Sequence, residues 1–125
     1  MKITHIILHH SGGMGTNNLA STRFLTVNDI DSFHKSRWNF PSQYMKKSNG
    51  VPYYVGYNVV YDPKDRSFTQ TRAVGEETAH TIGYNTCAVG ICMIGNYNLG
   101  SDQMTAQIEQ DMADFVNDLI DGNKR

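Results

Sequence analysis

The sequence predicts one α/β domain over residues 1–125, in which helices flank a mixed central β-sheet. Strand-like and helix-like segments follow each other in the order β-α-β-β-β-α, which is typical of mixed sheets with helices packed on them. The length suits a single hydrophobic core, and no repeat, low-complexity tract or linker divides the chain. A hydrophobic fraction of 39% and a charged fraction of 18% are ordinary for a globular protein.

Four segments predict the strands of this sheet. Residues 3–10 carry Ile and Leu on both faces, so this strand is expected to be central in the sheet. Residues 55–61 alternate in the manner of a strand. The turn residues Asp62-Pro63-Lys64-Asp65 then predict that residues 67–71 return as an antiparallel partner. Residues 88–94 form a further apolar strand.

Two segments predict helices. Thr26 is followed three residues later by Asp29, an acidic form of the capping box that begins many helices. Apolar residues that include Phe33 then recur at helical spacing, which predicts a helix of about three turns. From about residue 101, apolar residues recur at the same spacing and predict a long final helix.

Composition argues against several classes of function. The formal net charge is −1, which gives no electrostatic support for binding to nucleic acid or to an anionic membrane. The first residues lack the long apolar region of a signal peptide, so we expect a cytoplasmic protein. Cys87 and Cys92 are too few for a disulfide framework. Both are expected to be reduced, with Cys92 a small residue of the core.

The pair His9-His10 closes the first predicted strand. Strand alternation sends the two side chains to opposite faces, so only His9 is expected to open into a cleft beside Tyr57. Open α/β sheets bind ligands at the carboxyl ends of their strands, and neutral imidazole is a common ligand of zinc. The pair alone leaves two interpretations open, a metal site or a strand end closed by backbone hydrogen bonds.

Two further side chains are candidates for chemistry. His80 lies on a predicted loop, just before the glycine-containing strand at residues 88–94. Tyr57 lies at the start of the strand at residues 55–61. A tyrosine in that position is normally part of the core, with a partner for its hydroxyl. The residues alone therefore favour a structural Tyr57, and catalysis by its phenol is the alternative.

Taken together, the motifs resemble one family over the chain from about Ile3 to the final helix. In chain order they are His9-His10-Ser11, Thr26-Val27, Asp29-Ile30, Phe33-His34, Gly56-Tyr57, Arg72, Ala79-His80, Gly83-Tyr84-Asn85 and Val89-Gly90-Ile91-Cys92. This order resembles the type-2 N-acetylmuramoyl-L-alanine amidases, which include bacteriophage lysozyme-amidases and animal peptidoglycan recognition proteins. His34 also matches a family histidine and is interpreted as a packing or capping residue.

The resemblance implies a peptidoglycan-amidase-like fold and a set of site residues. His9 matches the first zinc ligand of the family, and Tyr57 matches the active-site tyrosine beside the zinc-bound water. His80, Asn85 and Arg72 match positions that are assigned here to substrate binding. Zinc is the cofactor that the family implies, because it activates a water for attack on the amide between muramic acid and L-alanine. A peptidoglycan fragment, or another small polar ligand, is the implied partner.

The family's remaining zinc ligands follow the long helix, and the sequence ends at Arg125, just past it. We therefore expect a C-terminally shortened amidase domain with an incomplete zinc site. Three alternatives stay open. The chain is an amidase whose site a protein partner or a second copy completes; or it is a non-catalytic binding module for a muropeptide, another small ligand or a host protein; or it is a fragment. If it is phage-encoded, its location is the host cytoplasm.

Overall fold

The computed structural model describes residues 2–13 and 18–123, so residues 14–17 of the loop predicted over 11–25 lie outside it. Six elements follow in the predicted order. They are β1 (His5–His10), α1 (Val27–Trp38), β2 (Val59–Asp62), β3 (Ser67–Gln70), β4 (Ala88–Met93) and α2 (Ala106–Asn123). The mixed α/β class predicted from the sequence is confirmed.

The four strands form one sheet in the order β1-β4-β2-β3. β4 pairs in parallel with both β1 and β2, and β3 is antiparallel to β2. The prediction that the first strand is central is wrong, because β1 lies at an edge and pairs with β4 alone among the described strands. Apolar residues on both faces of a strand indicate that other layers pack above and below the sheet. They do not indicate how many strands lie beside it within the sheet.

The sheet is the middle of three layers. On the α1 side, the buried cluster consists of Leu25, Ile30, Val55, Val60, Cys92 and Ile94. On the α2 side, it consists of Val59, Tyr61, Val89, Ile91, Ile108 and Met112. Successive strand residues such as Val59 and Val60 fall in different clusters, and this places the clusters on opposite faces of the sheet. Cys92 is a fully buried free thiol of the core, as predicted.

α1 begins at the predicted capping box. The Thr26 hydroxyl accepts the Asp29 N–H at 3.2 Å, and the Asp29 carboxylate accepts the Thr26 N–H at 2.8 Å. These bonds satisfy backbone donors that the first turn otherwise leaves free. The predicted apolar face is only partly buried, since Ile30 is 4% exposed but Phe33 is 52% exposed. Phe33 instead lines a cavity beside the cleft.

The long loop after α1 is held by two buried carboxylates. Asp31 pairs with Lys47 Nζ at 2.6 Å and accepts the Tyr54 N–H. Glu76 accepts the Ser42 hydroxyl and the N–H of the next residue. Because charge-assisted hydrogen bonds are among the stronger ones in proteins, the loop delivers the segment before β2 in a fixed position.

α2 covers the other face of the sheet. It begins at Ala106, several residues later than predicted, where the Thr105 hydroxyl accepts an N–H of the first turn at 3.2 Å. The Tyr61 hydroxyl on β2 donates to Asp111 at 2.6 Å and fixes the helix against the sheet. Within residues 2–13 and 18–123, neither helix combines the length and the apolar character that crossing a bilayer requires.

Candidate functional site

Four aromatic rings gather on the α1 side of the sheet, above β4. The His9 ring centre lies 5.1 Å from that of Tyr57 and 5.0 Å from that of His80. Tyr57 in turn lies 6.2 Å from His80 and 5.3 Å from His34, measured between ring centres. The structure therefore brings together three residues that the sequence singled out, and it adds His34.

His9 and His10 point to opposite faces of the sheet. The His9 ring faces Tyr57 and His80 in the cleft. On the α2 side, His10 Nδ1 accepts the Tyr97 N–H at 3.0 Å. This orientation confirms the prediction made from strand alternation. It leaves the metal-binding role of His9 a prediction.

The loop before β4 fixes His80. Asn85 Oδ1 accepts the backbone N–H groups of His80 and Thr81, at 2.8 and 2.9 Å. The imidazole lies directly over Gly90 of β4, where an added Cβ would be 2.6 Å from the ring. Only glycine leaves room for the ring at this point of the strand. Asn85, which the sequence assigned to substrate binding, here positions the two residues that follow Ala79.

Tyr57 is fixed by a close crossing of two backbone segments. A Cβ on the preceding Gly56 would lie 2.0 Å from the carbonyl oxygen of Ala79, so glycine is required there. The Gly56 N–H donates to His34 Nδ1 at 2.8 Å. Burial raises the pKa of the Tyr57 phenol above its ordinary value of 10.0. The phenol is therefore protonated at neutral pH, and it lies against the buried Cys92 thiol.

Arg72, the third residue assigned to substrate binding, is 1% exposed. Its guanidinium donates to three backbone carbonyls, those of Val55 (2.7 Å), Glu77 (3.4 Å) and Phe40. It also lies 4.6 Å from the centre of the Phe40 ring. With its donors turned to the backbone, Arg72 braces the segments around the site, and its contact with a substrate stays a prediction.

Sequence reasoning did not place His34 in the site. It follows the buried Ile30 by four residues, and residues at this spacing share a helix face. This spacing is the signal in the sequence that could have placed His34 on the inner face of α1. With Tyr57 it borders a cavity of about 160 Å³ beside the cleft. The described lining of this cavity consists of Ser11, Gly13, Thr22, Leu25, Ile30, Phe33, His34, Tyr57 and Cys92.

The histidines of the site predict how stability depends on pH. Burial, with smaller effects of Arg37 and Arg72, lowers the pKa of His34 from its ordinary 6.5 to about 4. Burial also lowers the pKa of His80 to about 4 and that of His9 below 6.5. The unfolded chain then binds more protons than the folded chain between pH 6.5 and about 4. We expect the free energy of unfolding to have its full value above pH 7 and to decrease as the pH is lowered from 6.5 to about 4.

Urea titrations at pH 7, 6 and 5, above most carboxyl pKa values, measure this dependence. His34→Asn keeps an acceptor for the Gly56 N–H and removes the titrating ring. We expect this variant to lose less stability on acidification than the unmodified chain. Equal losses in the two proteins would contradict a role of His34 in the acid sensitivity.

A catalytic zinc ion needs three protein ligands and an open position. Within residues 2–13 and 18–123, no group of three His, Cys, Asp or Glu side chains could hold a metal ion. His10 faces away from the cleft. Burial raises the pKa of the Cys92 thiol to about 12, so the free thiol stays protonated at neutral pH. The described residues therefore do not fit a complete catalytic zinc site.

Comparisons with known proteins agree with this fold. The model of the family described as N-acetylmuramoyl-L-alanine amidase matches residues 1–124. The chain is similar to N-acetylmuramoyl-L-alanine amidase LysC from Clostridium intestinale, with a TM-score of 0.67 and 21% identity over 97% of this chain and 64% of that one. No match was found among curated proteins.

Two insect proteins have the same fold. PGRP-SA of the bumblebee is 25% identical, with a TM-score of 0.62 over 94% of this chain and 60% of that one. PGRP-SA of Apis mellifera is 20% identical, with a TM-score of 0.66 over 99% of this chain and 64% of that one. The chain thus spans less than two thirds of the length of these structures.

Proposed function

Because the chain belongs to the N-acetylmuramoyl-L-alanine amidase family, we propose that it is a peptidoglycan-directed domain whose cleft binds a muramyl peptide. The observation that supports this most is the convergence of His9, Tyr57 and His80 on one face of the sheet. These are the three residues at which the sequence motifs and the geometry of the cleft coincide.

The chemistry of the cleft suits uncharged polar groups. The buried Tyr57 phenol is a hydrogen-bond donor, and the lowered pKa values keep His9 and His80 neutral at pH 7. None of the described residues that line the adjacent cavity carries a charge. Amide and hydroxyl groups of a glycopeptide fit such a lining, and its apolar part suits a methyl group. A phosphate would find no cation among these residues.

Cleavage of the amide requires more than binding of the muramyl peptide. An unactivated amide requires a strong nucleophile, and neither a neutral imidazole nor a protonated phenol supplies one at pH 7. The described residues do not complete the metal site that the family's chemistry requires. We therefore propose that this chain binds the muramyl peptide, and that cleavage of its amide needs metal ligands from elsewhere.

Calorimetric titration with a muramyl peptide tests the binding. Tyr57→Phe should weaken the affinity about fivefold, since one hydrogen bond contributes about 1 kcal/mol. His10→Ala is the matched control, because it removes a neighbouring imidazole from the opposite face of the sheet. It should leave the affinity unchanged. Absence of binding by the unmodified chain, or equal losses in the two variants, would reject this site.

A cleavage assay tests the proposal that this chain does not cleave the amide without further metal ligands. Purified peptidoglycan is incubated with the chain and added zinc, and free peptide is measured. We expect no release above the level without protein. Robust zinc-dependent release would show that the chain supplies a complete metal site after all, and the proposal would then become one of an active amidase.

A further inference from the structure

Charge is divided between the two outer layers of the molecule, although the chain as a whole is nearly neutral. Residues 32–54 contain Lys35, Arg37, Lys46 and Lys47 and no Asp or Glu. In α2, on the opposite face of the sheet, every charged residue is acidic. The net charge of −1 therefore averages over two faces of opposite sign. We propose that these four cations form a surface, the basic surface, which binds an anionic polymer with repeated phosphodiester groups.

Contacts around Asp31 and Tyr54 bring the cations of the basic surface together. Asp31 pairs with Lys47 Nζ at 2.6 Å and accepts the Tyr54 N–H. The Lys35 ammonium lies 5.1 Å from the centre of the same Tyr54 ring. Lys46 is the chain neighbour of Lys47. The last turns of α1 and the loop that follows it therefore present their cations on one side of the molecule.

Three of the four cations are available to an external anion. Within residues 2–13 and 18–123, Lys35, Arg37 and Lys46 form no ion pair, and all three side chains are exposed. Lys47 is instead neutralised by Asp31. The negative end of the α1 dipole favours Lys35 and Arg37 in the last turn, but it does not account for Lys46, which lies in the loop. The basic surface therefore keeps positive charge that its own neighbours do not balance.

The aromatic rings of the basic surface favour a polymer without bases. Single-stranded nucleic acids stack their bases on open aromatic rings between basic side chains. Here the Trp38 ring is contacted by the Arg37 guanidinium at 5.0 Å and by the His34 ring at 4.6 Å. The Tyr54 ring is covered by Lys35. A polyol-phosphate chain of the cell wall requires cations alone, and the choice of this source rests on the proposed function.

The basic surface lies on the same side of the sheet as the cleft. The ring of His34, which contacts Trp38, has its centre 5.3 Å from that of Tyr57. Cations beside a binding site raise the local concentration of anionic partners and steer their approach. A bound polyanion would therefore hold the chain with its cleft toward the cell-wall matrix, while the acidic α2 faces away from it.

Titration with poly(glycerol phosphate), in the absence of any muramyl peptide, tests the proposal apart from the proposed function. We expect binding at low ionic strength that weakens as salt is added. With about three phosphates neutralised, the logarithm of the binding constant should fall with the logarithm of the salt concentration with a slope of about −2, as for other single-stranded polyanions. Lys35→Gln and Lys46→Gln should each lower the affinity about fivefold, the effect of one cation near an anionic surface.

Arg66→Gln is the matched control, because it lowers the net charge by the same amount at the turn between β2 and β3. It should bind the polymer as the unmodified chain does. Muramyl-peptide affinity should be unchanged in the two lysine variants, and its absence in the unmodified chain would count against the proposed function alone. No salt-dependent binding of the polymer, an equal loss in Arg66→Gln, a loss of muramyl-peptide affinity in Lys35→Gln, or tighter binding of an oligothymidylate would each overturn the basic surface.

Discussion

Replacing Arg72 with methionine should destabilise the folded chain by about 2–5 kcal/mol, because several buried carbonyls lose their charged donor at about 1–3 kcal/mol each. The side chain is 1% exposed, and its guanidinium donates to the carbonyls of Val55, Glu77 and Phe40. Methionine fills much of the volume but donates nothing, so these buried carbonyls lose their partner. Arg72→Lys keeps the charge without the fork of donors, and we expect an intermediate loss.

Urea unfolding measures these free energies, and Arg66→Met is the matched control. Arg66 also forms two hydrogen bonds, both to Asp111, but its side chain is 59% exposed. Exposed ion pairs contribute little to stability, so Arg66→Met should change the free energy of unfolding far less than Arg72→Met. If the two variants were equally stable, the bracing role of Arg72 would be wrong.

Replacing Gly90 with alanine should disrupt the site without removing any of its polar groups. The new Cβ would lie 2.6 Å from the His80 ring. Real Cβ atoms essentially never come this close to another atom, so the ring must leave its present position. We expect muramyl-peptide affinity to fall about fivefold, the effect of losing one polar contact of about 1 kcal/mol.

Gly122→Ala is the control for this substitution. Nothing lies within 4 Å of a Cβ built on Gly122, and alanine favours a helix by about 1 kcal/mol over glycine. This variant should be equally or more stable and should bind as the unmodified chain does. Unchanged binding in folded Gly90→Ala would show that the contact between Gly90 and His80 does not position the ring.

The sequence predicted best what local interactions determine. The capping box of Thr26 and Asp29 depends on residues three apart, and the turn between β2 and β3 depends on its own four residues. Both are confirmed. The place of β1 at the sheet edge depends on strand pairing across most of the chain. Apolar content alone carries no signal for such pairing.

The same distinction applies to the site. Strand alternation correctly sent His9 into the cleft and His10 away from it. The contacts of His9 with His80 and Thr81 form only when the loop before β4 folds over β1, so no spacing in the sequence indicates them. Arg72 was assigned to substrate binding from its motif. Its burial depends on backbone carbonyls from distant segments, which a motif does not show.

The edge position of β1 sets which part of the site opens first. The Ser11 N–H donates to Met93 on β4, and alternation then turns the backbone groups of Ile6 and Leu8 outward, toward the open edge. Strands with few backbone bonds open locally at lower free energy than central strands. Separation of β1 carries His9 away from His80 while the rest of the sheet stays paired. Any ligand that contacts both rings therefore also stabilises β1 against local opening. Amide hydrogen exchange along β1 should slow when the cleft is filled.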